Sequence, residues 1–203
     1  MTTQRYLPPS ALNPFLEGLP QTVSKRIIGK SVKGLPIHLL TIGTGNTKIL
    51  MWSQMHGNES TTTRALLDLI PWFLKLSQAQ LQKTFTLSII LQLNPDGAKA
   101  YTRLNANDVD LNRDAIDLTQ PESVALQDLY QEVNPDYCLN LHGQRTIFSA
   151  GKMGKTASLS FLAPSANLER TLTPSRAKAM QLIVALKRAL EKELPEQIGR
   201  YDD

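Results

Sequence analysis

Cysteine is almost absent from this chain: Cys138 is the only one in 203 residues, so no intrachain disulfide can form. Such sparse cysteine leads us to expect a reducing, cytoplasmic setting. Long hydrophobic runs are missing as well. Nothing approaches the ~20 apolar residues of a membrane-spanning helix, and the N-terminus MTTQRYLPPS has no basic stretch leading into an apolar one, the mark of a signal peptide. A membrane partner is therefore not expected. Blocks of like charge are lacking too. Lys and Arg number 22 against 18 Asp and Glu, but they are dispersed and no basic stripe is interleaved with aromatics. Nucleic acid is not expected as a partner either. What is present suffices for a core: 41% of residues are hydrophobic and 20% charged, which excludes a disordered chain. The length suits one domain over residues 1–203, and no internal boundary is visible.

Strand-like and helix-like segments alternate, predicting an α/β fold. SKRIIG, PIHLLTIG and KILMWSQM read as three early strands, the first two paired as a hairpin through GKSVKG. After Glu59 a helix is expected, with Leu66, Leu69, Ile70 and Phe73 on one face and Pro71 kinking or ending it. FTLSIILQL is a near-continuous apolar run, typical of a strand buried on both faces. Asn94 to Gln120 is polar and without period, and a structureless loop of that length is usually functional. Thr119-Gln-Pro-Glu122 has the form of a capping box opening a helix, with Leu126, Leu129, Tyr130 and Val133 expected inward. DYCLNLH is a strand ending in a histidine, with Cys138 expected as a small core hydrophobe. SLSFLAP is a further strand. Thr173-Pro174 starts a last helix in which Ala179, Ile183, Leu186, Leu190 and Leu194 repeat at helical spacing.

Of the three histidines, His38 lies inside a strand with no acidic neighbour and reads as an ordinary strand residue. The other two stand in different company. Met55-His56-Gly57-Asn58-Glu59 follows a strand and opens a helix, so His56 and Glu59 can face one metal ion. His142 ends the DYCLNL strand, where parallel sheets place their sites. Two His and one Glu with an open fourth position describe a catalytic rather than a structural zinc site. Between these segments the polar loop carries Arg103, Asn112 and Arg113. An arginine fork matches a carboxylate with two parallel hydrogen bonds. The alternative is a loop tied by its own ion pairs, such as Asp110 or Asp114 with Arg113. Ser149-Ala-Gly-Lys-Met-Gly154-Lys155-Thr156 comes close to a phosphate-binding loop. Ser149 replaces its first glycine and a strand follows where a helix should begin, so a hairpin turn is expected there.

HGNE, NPDG, R-x-N-A, DLNRD and LNLHGQRTIF occur in the order found in zinc carboxypeptidases of the carboxypeptidase A family, and the chain most resembles their bacterial, cytosolic-type branch. The resemblance runs from about His56 to Phe148. It implies an α/β fold with a mixed, mostly parallel central sheet flanked by helices, and one zinc ion held by His56, Glu59 and His142. It further implies that Arg103 polarises the scissile carbonyl, and that Asn112 and Arg113 grip the C-terminal carboxylate of a peptide. The family also uses a glutamate base beyond the third zinc ligand. Glu169, Glu191, Glu193 and Glu196 lie on or beside helical segments and not on a late strand edge. The expectation is therefore a domain lacking its C-terminal part, with little activity of its own and an unpaired sheet edge open to self-association. Two other readings stay open. One is an amidohydrolase like aspartoacylase and succinylglutamate desuccinylase, which would take a small amino-acid-derived substrate. The other is a non-catalytic protein that binds zinc or peptide.

Overall fold

The computed structural model describes residues 6–75, 83–143 and 156–200. The near-match to a phosphate loop at 149–155 and the latter part of LNLHGQRTIF lie outside the described residues. The chain divides into two compact units, Met1–Gly143 and Gln144–Asp203.

The first unit opens with a 3-10 turn (Pro9–Leu12) and a short helix, α1 (Asn13–Glu17). Strands β1 (Ser24–Lys30), β2 (Pro36–Ile42) and β3 (Thr47–Ser53) lead into helix α2 (Ser60–Lys75). Then come β4 (Phe85–Ile90), a short helix α3 (Pro95–Ala100), α4 (Pro121–Val133) and β5 (Tyr137–Leu141). The five strands form one mixed sheet in the order β1-β2-β4-β3-β5. β1 with β2 and β2 with β4 are antiparallel, whereas β3 is parallel to both β4 and β5. The expected hairpin and the α/β fold are thus present. β3 and β5 run side by side, so the residues after Ser53 and after Leu141 emerge at the same end of the sheet.

Neighbouring residues of the inner strands enter opposite cores, because successive side chains leave a strand on opposite faces. Leu40, Met51 and Ile89 join Leu66, Ile70 and Phe73 of α2 and Leu7, Leu12 and Leu16 of the N-terminal segment. Leu39, Leu50 and Ile90 join Ala125 and Leu129 of α4. The sheet is therefore covered by helices on both faces, and the apolar run of β4 is explained.

Several local expectations are corrected. The helix does not end at Pro71 but continues to Lys75, forgoing the hydrogen bond that proline cannot donate. The polar stretch is not structureless: Pro95–Ala100 is helical, capped by Asn94 accepting from the Gly97 amide at 2.8 Å. The capping box at 119–122 does not form, since Gln120 is the N-cap and makes no side-chain cap bond. Its glutamate is drawn away: Glu122 is fully buried and accepts from the Val32 amide at 3.1 Å, in the turn between β1 and β2. Tyr130 is exposed, because the buried stripe of α4 runs through Ala125 and Leu129. Cys138 is exposed as well. β5 is an outer strand of the sheet, and its Leu139 and Leu141 are the residues that pack on the core.

In the second unit, β6 (Leu159–Phe161) pairs in parallel with β7 (Ile198–Arg200), and α5 (Pro174–Leu190) lies between them in sequence. The start of α5 is as expected: the Thr173 hydroxyl accepts from the Arg176 amide at 3.2 Å.

Candidate metal centre

The site is built on the turn that leaves β3. Gly57 lies so close to α3 that a Cβ there would sit 2.0 Å from the Gly97 carbonyl carbon. Gly97 is equally confined, with the Leu104 carbonyl oxygen 2.7 Å from where its own Cβ would be. Gly57 of HGNE thus meets the backbone of NPDG, whereas Gly97 of NPDG is confined by the Asn94 side chain and the Leu104 carbonyl. The close approach at Gly57 fixes the turn against the loop, and the Gly57 amide donates to the Arg103 carbonyl at 3.3 Å.

The turn closes with the Glu59 amide donating to the His56 carbonyl at 3.0 Å, which brings the two side chains to one side. His56 Nδ1 lies 2.9 Å from Glu59 Oε1, and His142 Nδ1 lies 3.1 Å from Glu59 Oε2. The two Nδ1 atoms are 3.2 Å apart. One donor atom from each of His56, Glu59 and His142 falls within 4.8 Å of the others. The structure thus brings together the three residues that the sequence offers as ligands: two follow β3 and one follows β5, its parallel neighbour. Two imidazole nitrogens and a carboxylate oxygen are donors that zinc accepts. The crowding of two ring nitrogens at one carboxylate is the arrangement a cation would relieve.

Burial pushes the Glu59 carboxyl up, but bonds from His142, His56 and the Gly143 amide and the charge of His56 outweigh it and hold it at about 2. Glu59 is thus a carboxylate at neutral pH, as a metal ligand must be.

Asp110 was not singled out from sequence as a site residue, yet it faces the centre. Its Oδ1 lies 3.1 Å from His56 Nε2, on the far side of the ring from Glu59. Its Oδ2 accepts from Arg103 Nε and Nη2 at 3.1 and 3.0 Å. Burial raises the Asp110 carboxyl, but the charge of His56, the Asn112 amide and bonds from His56 and Arg103 leave it below its ordinary value. A carboxylate on the second ring nitrogen fixes the tautomer and aims the first nitrogen inward. The signal was available: Asp110 opens DLNRD. The expected alternative, an ion pair with Arg113, is replaced by one with Arg103.

This geometry agrees with what the chain is similar to. The family model for zinc carboxypeptidases matches residues 10–201. The chain belongs to the zinc carboxypeptidase family. Carboxypeptidase SOL1 of Arabidopsis thaliana is 33% identical over 137 residues, covering 57% of this chain and 28% of that protein. A metallo-carboxypeptidase from Burkholderia cenocepacia superposes with a TM-score of 0.74 at 20% identity, over 96% of this chain and 53% of that one, and shows the shared fold. One from Pseudomonas aeruginosa, solved with (2-guanidinoethylmercapto)succinic acid, gives 0.61 at 25% identity over 67% of this chain and 40% of its own. The chain spans about half or less of the length of these relatives.

Within the family fold, the remaining predicted residues are placed differently. Arg103 reaches the centre, with Nη1 3.7 Å from Glu59 Oε1. Asn112 donates its amide to Asp110 Oδ1 at 2.9 Å, and its side-chain oxygen lies 3.4 Å from Asn140 Nδ2 on β5. Arg113 is exposed in the turn after Asp110, its amide bonded to the Asp110 carbonyl at 2.9 Å. Neither Asn112 nor Arg113 bonds the three candidate ligands among the described residues.

Proposed function

We propose that this chain carries the metal centre of a zinc-dependent metallocarboxypeptidase that removes C-terminal residues from peptides. One zinc ion would be held by one nitrogen each of His56 and His142 and by the Glu59 carboxylate. The observation that carries this reading is the convergence of those three donors within 4.8 Å at one end of a sheet of the family fold. When bound, zinc supplies a Lewis acid for a carbonyl oxygen and activates a water molecule.

The chain's own residues then have distinct tasks. Asp110 holds the proton on His56 Nε2 and leaves Nδ1 free to face the ion. The Gly143 amide, 2.8 Å from Glu59 Oε2, orients the carboxylate. Arg103, exposed and close to Glu59, donates to the carbonyl oxygen as negative charge develops on it. Arg113 and Asn112 receive the C-terminal carboxylate of the peptide and set its register. The dicarboxylate bound by the Pseudomonas relative supports a carboxylate-recognising site of this kind. Among the described residues, none is assigned the general-base role.

Metal analysis tests the core of the reading. Purified protein should hold one zinc per chain, and a His56→Ala, His142→Ala double variant should hold almost none. Full occupancy in the double variant would remove the proposal. Peptides with a free C-terminus, compared with N-acyl amino acids, separate a carboxypeptidase from a small-molecule amidohydrolase.

A further inference from the structure

Gln54 stands immediately before the metal-binding turn, and its backbone is in the left-handed region, φ 47°. Non-glycine residues rarely adopt this conformation, and glutamine has no short side chain to favour it. Surrounding structure must impose it. The Gln54 carbonyl accepts from the Asn94 amide at 3.0 Å, which ties the exit of β3 to the residues after β4.

The side chain is 1% exposed, and its polar groups are all engaged on the site's inner side. Its Nε2 donates to the Gly57 carbonyl at 2.6 Å. Its Oε1 accepts from the Thr63 hydroxyl at 2.6 Å and from Gln92 Nε2 at 2.9 Å. Thr63 sits on α2 at 0% exposure and Gln92 just beyond β4 at 5%. The amide is thus anchored from two elements, and its one outward bond goes to the peptide between His56 and Glu59. That residue is held from its other end by the Arg103 carbonyl, which accepts from the Gly57 amide.

We propose that Gln54 is a positioning residue of the metal centre: it fixes the Gly57 carbonyl and thereby the relative aim of His56 and Glu59. The proposal rests on the reading of His56, Glu59 and His142 as zinc ligands. It adds a residue that touches neither metal nor substrate and that the HGNE motif does not include.

The test compares Gln54→Met, which keeps the length but loses the donor, with Gln54→Asn, which keeps an amide one carbon short and tolerates the left-handed region. Leu66→Ala, a buried change on α2 away from the turn, serves as a stability control. Zinc affinity is measured by chelator competition, geometry by the visible absorption spectrum of the cobalt(II)-loaded protein, and folding by thermal unfolding of the metal-free form. Gln54→Met should bind zinc about 10–100-fold more weakly, the range for a lost outer partner of a metal ligand, with an altered cobalt spectrum. Gln54→Asn should fall between it and the wild type. Leu66→Ala should unfold earlier yet keep wild-type affinity and spectrum. If Gln54→Met does not fold, Gln54→Asn decides alone by the same two readouts. Wild-type affinity and spectrum in the Gln54 variants, or an equal loss in Leu66→Ala, would overturn the positioning role. Full zinc occupancy in the His56→Ala, His142→Ala double variant would overturn the metal-centre reading and this role with it.

Discussion

The turn carrying His56 and Glu59 and the loop carrying Arg103, Asn112 and Arg113 meet at one site but are held by different forces. The turn is packed. His56 is 3% exposed, Gly57 abuts α3 without room for a methyl group, and Gln54 beneath is buried. The loop is tethered by carboxylates. Asp110 accepts from Asn112 and Arg103 and faces His56, while Asp114 accepts from Thr119 and Gln120. Metal ligands need fixed relative positions, which close packing supplies. Groups that meet a substrate need to release one partner and take another, which exposed ion pairs allow at small cost. Disturbing the packing of the turn itself should therefore change metal affinity, and disturbing the loop should change the handling of substrate.

Arg103 gives the sharpest contrast. Arg103→Ala should lower kcat in a catalytically competent form by ~10²–10³-fold, the loss for a missing oxyanion donor, with zinc content unchanged. Arg103→Lys should recover little, since one ammonium cannot reproduce the fork whose Nε and Nη2 both donate to Asp110 Oδ2. Zinc loss in Arg103→Ala would assign the arginine to the packed side of the site. Asp110 joins the two regions and should show both effects. Asp110→Asn should weaken zinc binding ~10–100-fold through the reorientation of His56. Unchanged affinity would mean that His56 is aimed by packing alone.

The packed side was largely legible in the sequence. A strand, then HGNE, then an apolar helical period is a local pattern, and the strand ending at His142 is another. Their meeting required only that β3 and β5 be parallel neighbours. The carboxylate-tethered side was less so. Asp110, Asp114 and Glu122 have partners chosen by tertiary structure: Glu122 leaves its helix start for Val32, 90 residues earlier. Capping rules describe local competition, and here the fully buried Glu122 carboxylate is taken by a distant amide. Cys138 and Tyr130 were misplaced because burial on an outer strand or a one-sided helix depends on which face meets the core. Gln54 carried no signal, since nothing in SQM announces a positive φ.

Arg113 tests whether the exposed fork recognises a carboxylate. Arg113→Ala should weaken binding of inhibitors with a free C-terminal carboxylate by about tenfold, the scale of one lost charged hydrogen bond. Amidated counterparts should change little. Equal loss for both would remove the carboxylate role and leave Arg113 as a solvated loop residue.

The smallest expected effect falls on Asp114, which shapes the loop without reaching the centre. It is 4% exposed and accepts from the amides of Thr119 and Gln120 at 2.9 and 3.0 Å. Burial raises its carboxyl, but bonds from Thr119, Ser123 and Gln120 bring it below the ordinary value of 3.8. A carboxyl depressed in the folded state favours folding while ionised, so its contribution is present above about pH 4 and lost as the pH falls through the folded value. Asp114→Asn should therefore cost about 1–2 kcal/mol at pH 7, the worth of weakened charged hydrogen bonds. The gap to wild type should narrow as the pH drops below 3.8, since protonated Asp114 approaches the variant's neutral amide. Urea unfolding of both proteins at pH 7 and pH 3 measures it. A gap that stays constant would mean that size and shape, not charge, hold this end of the loop, and the contrast between a packed turn and a tethered loop would not extend beyond Asp110.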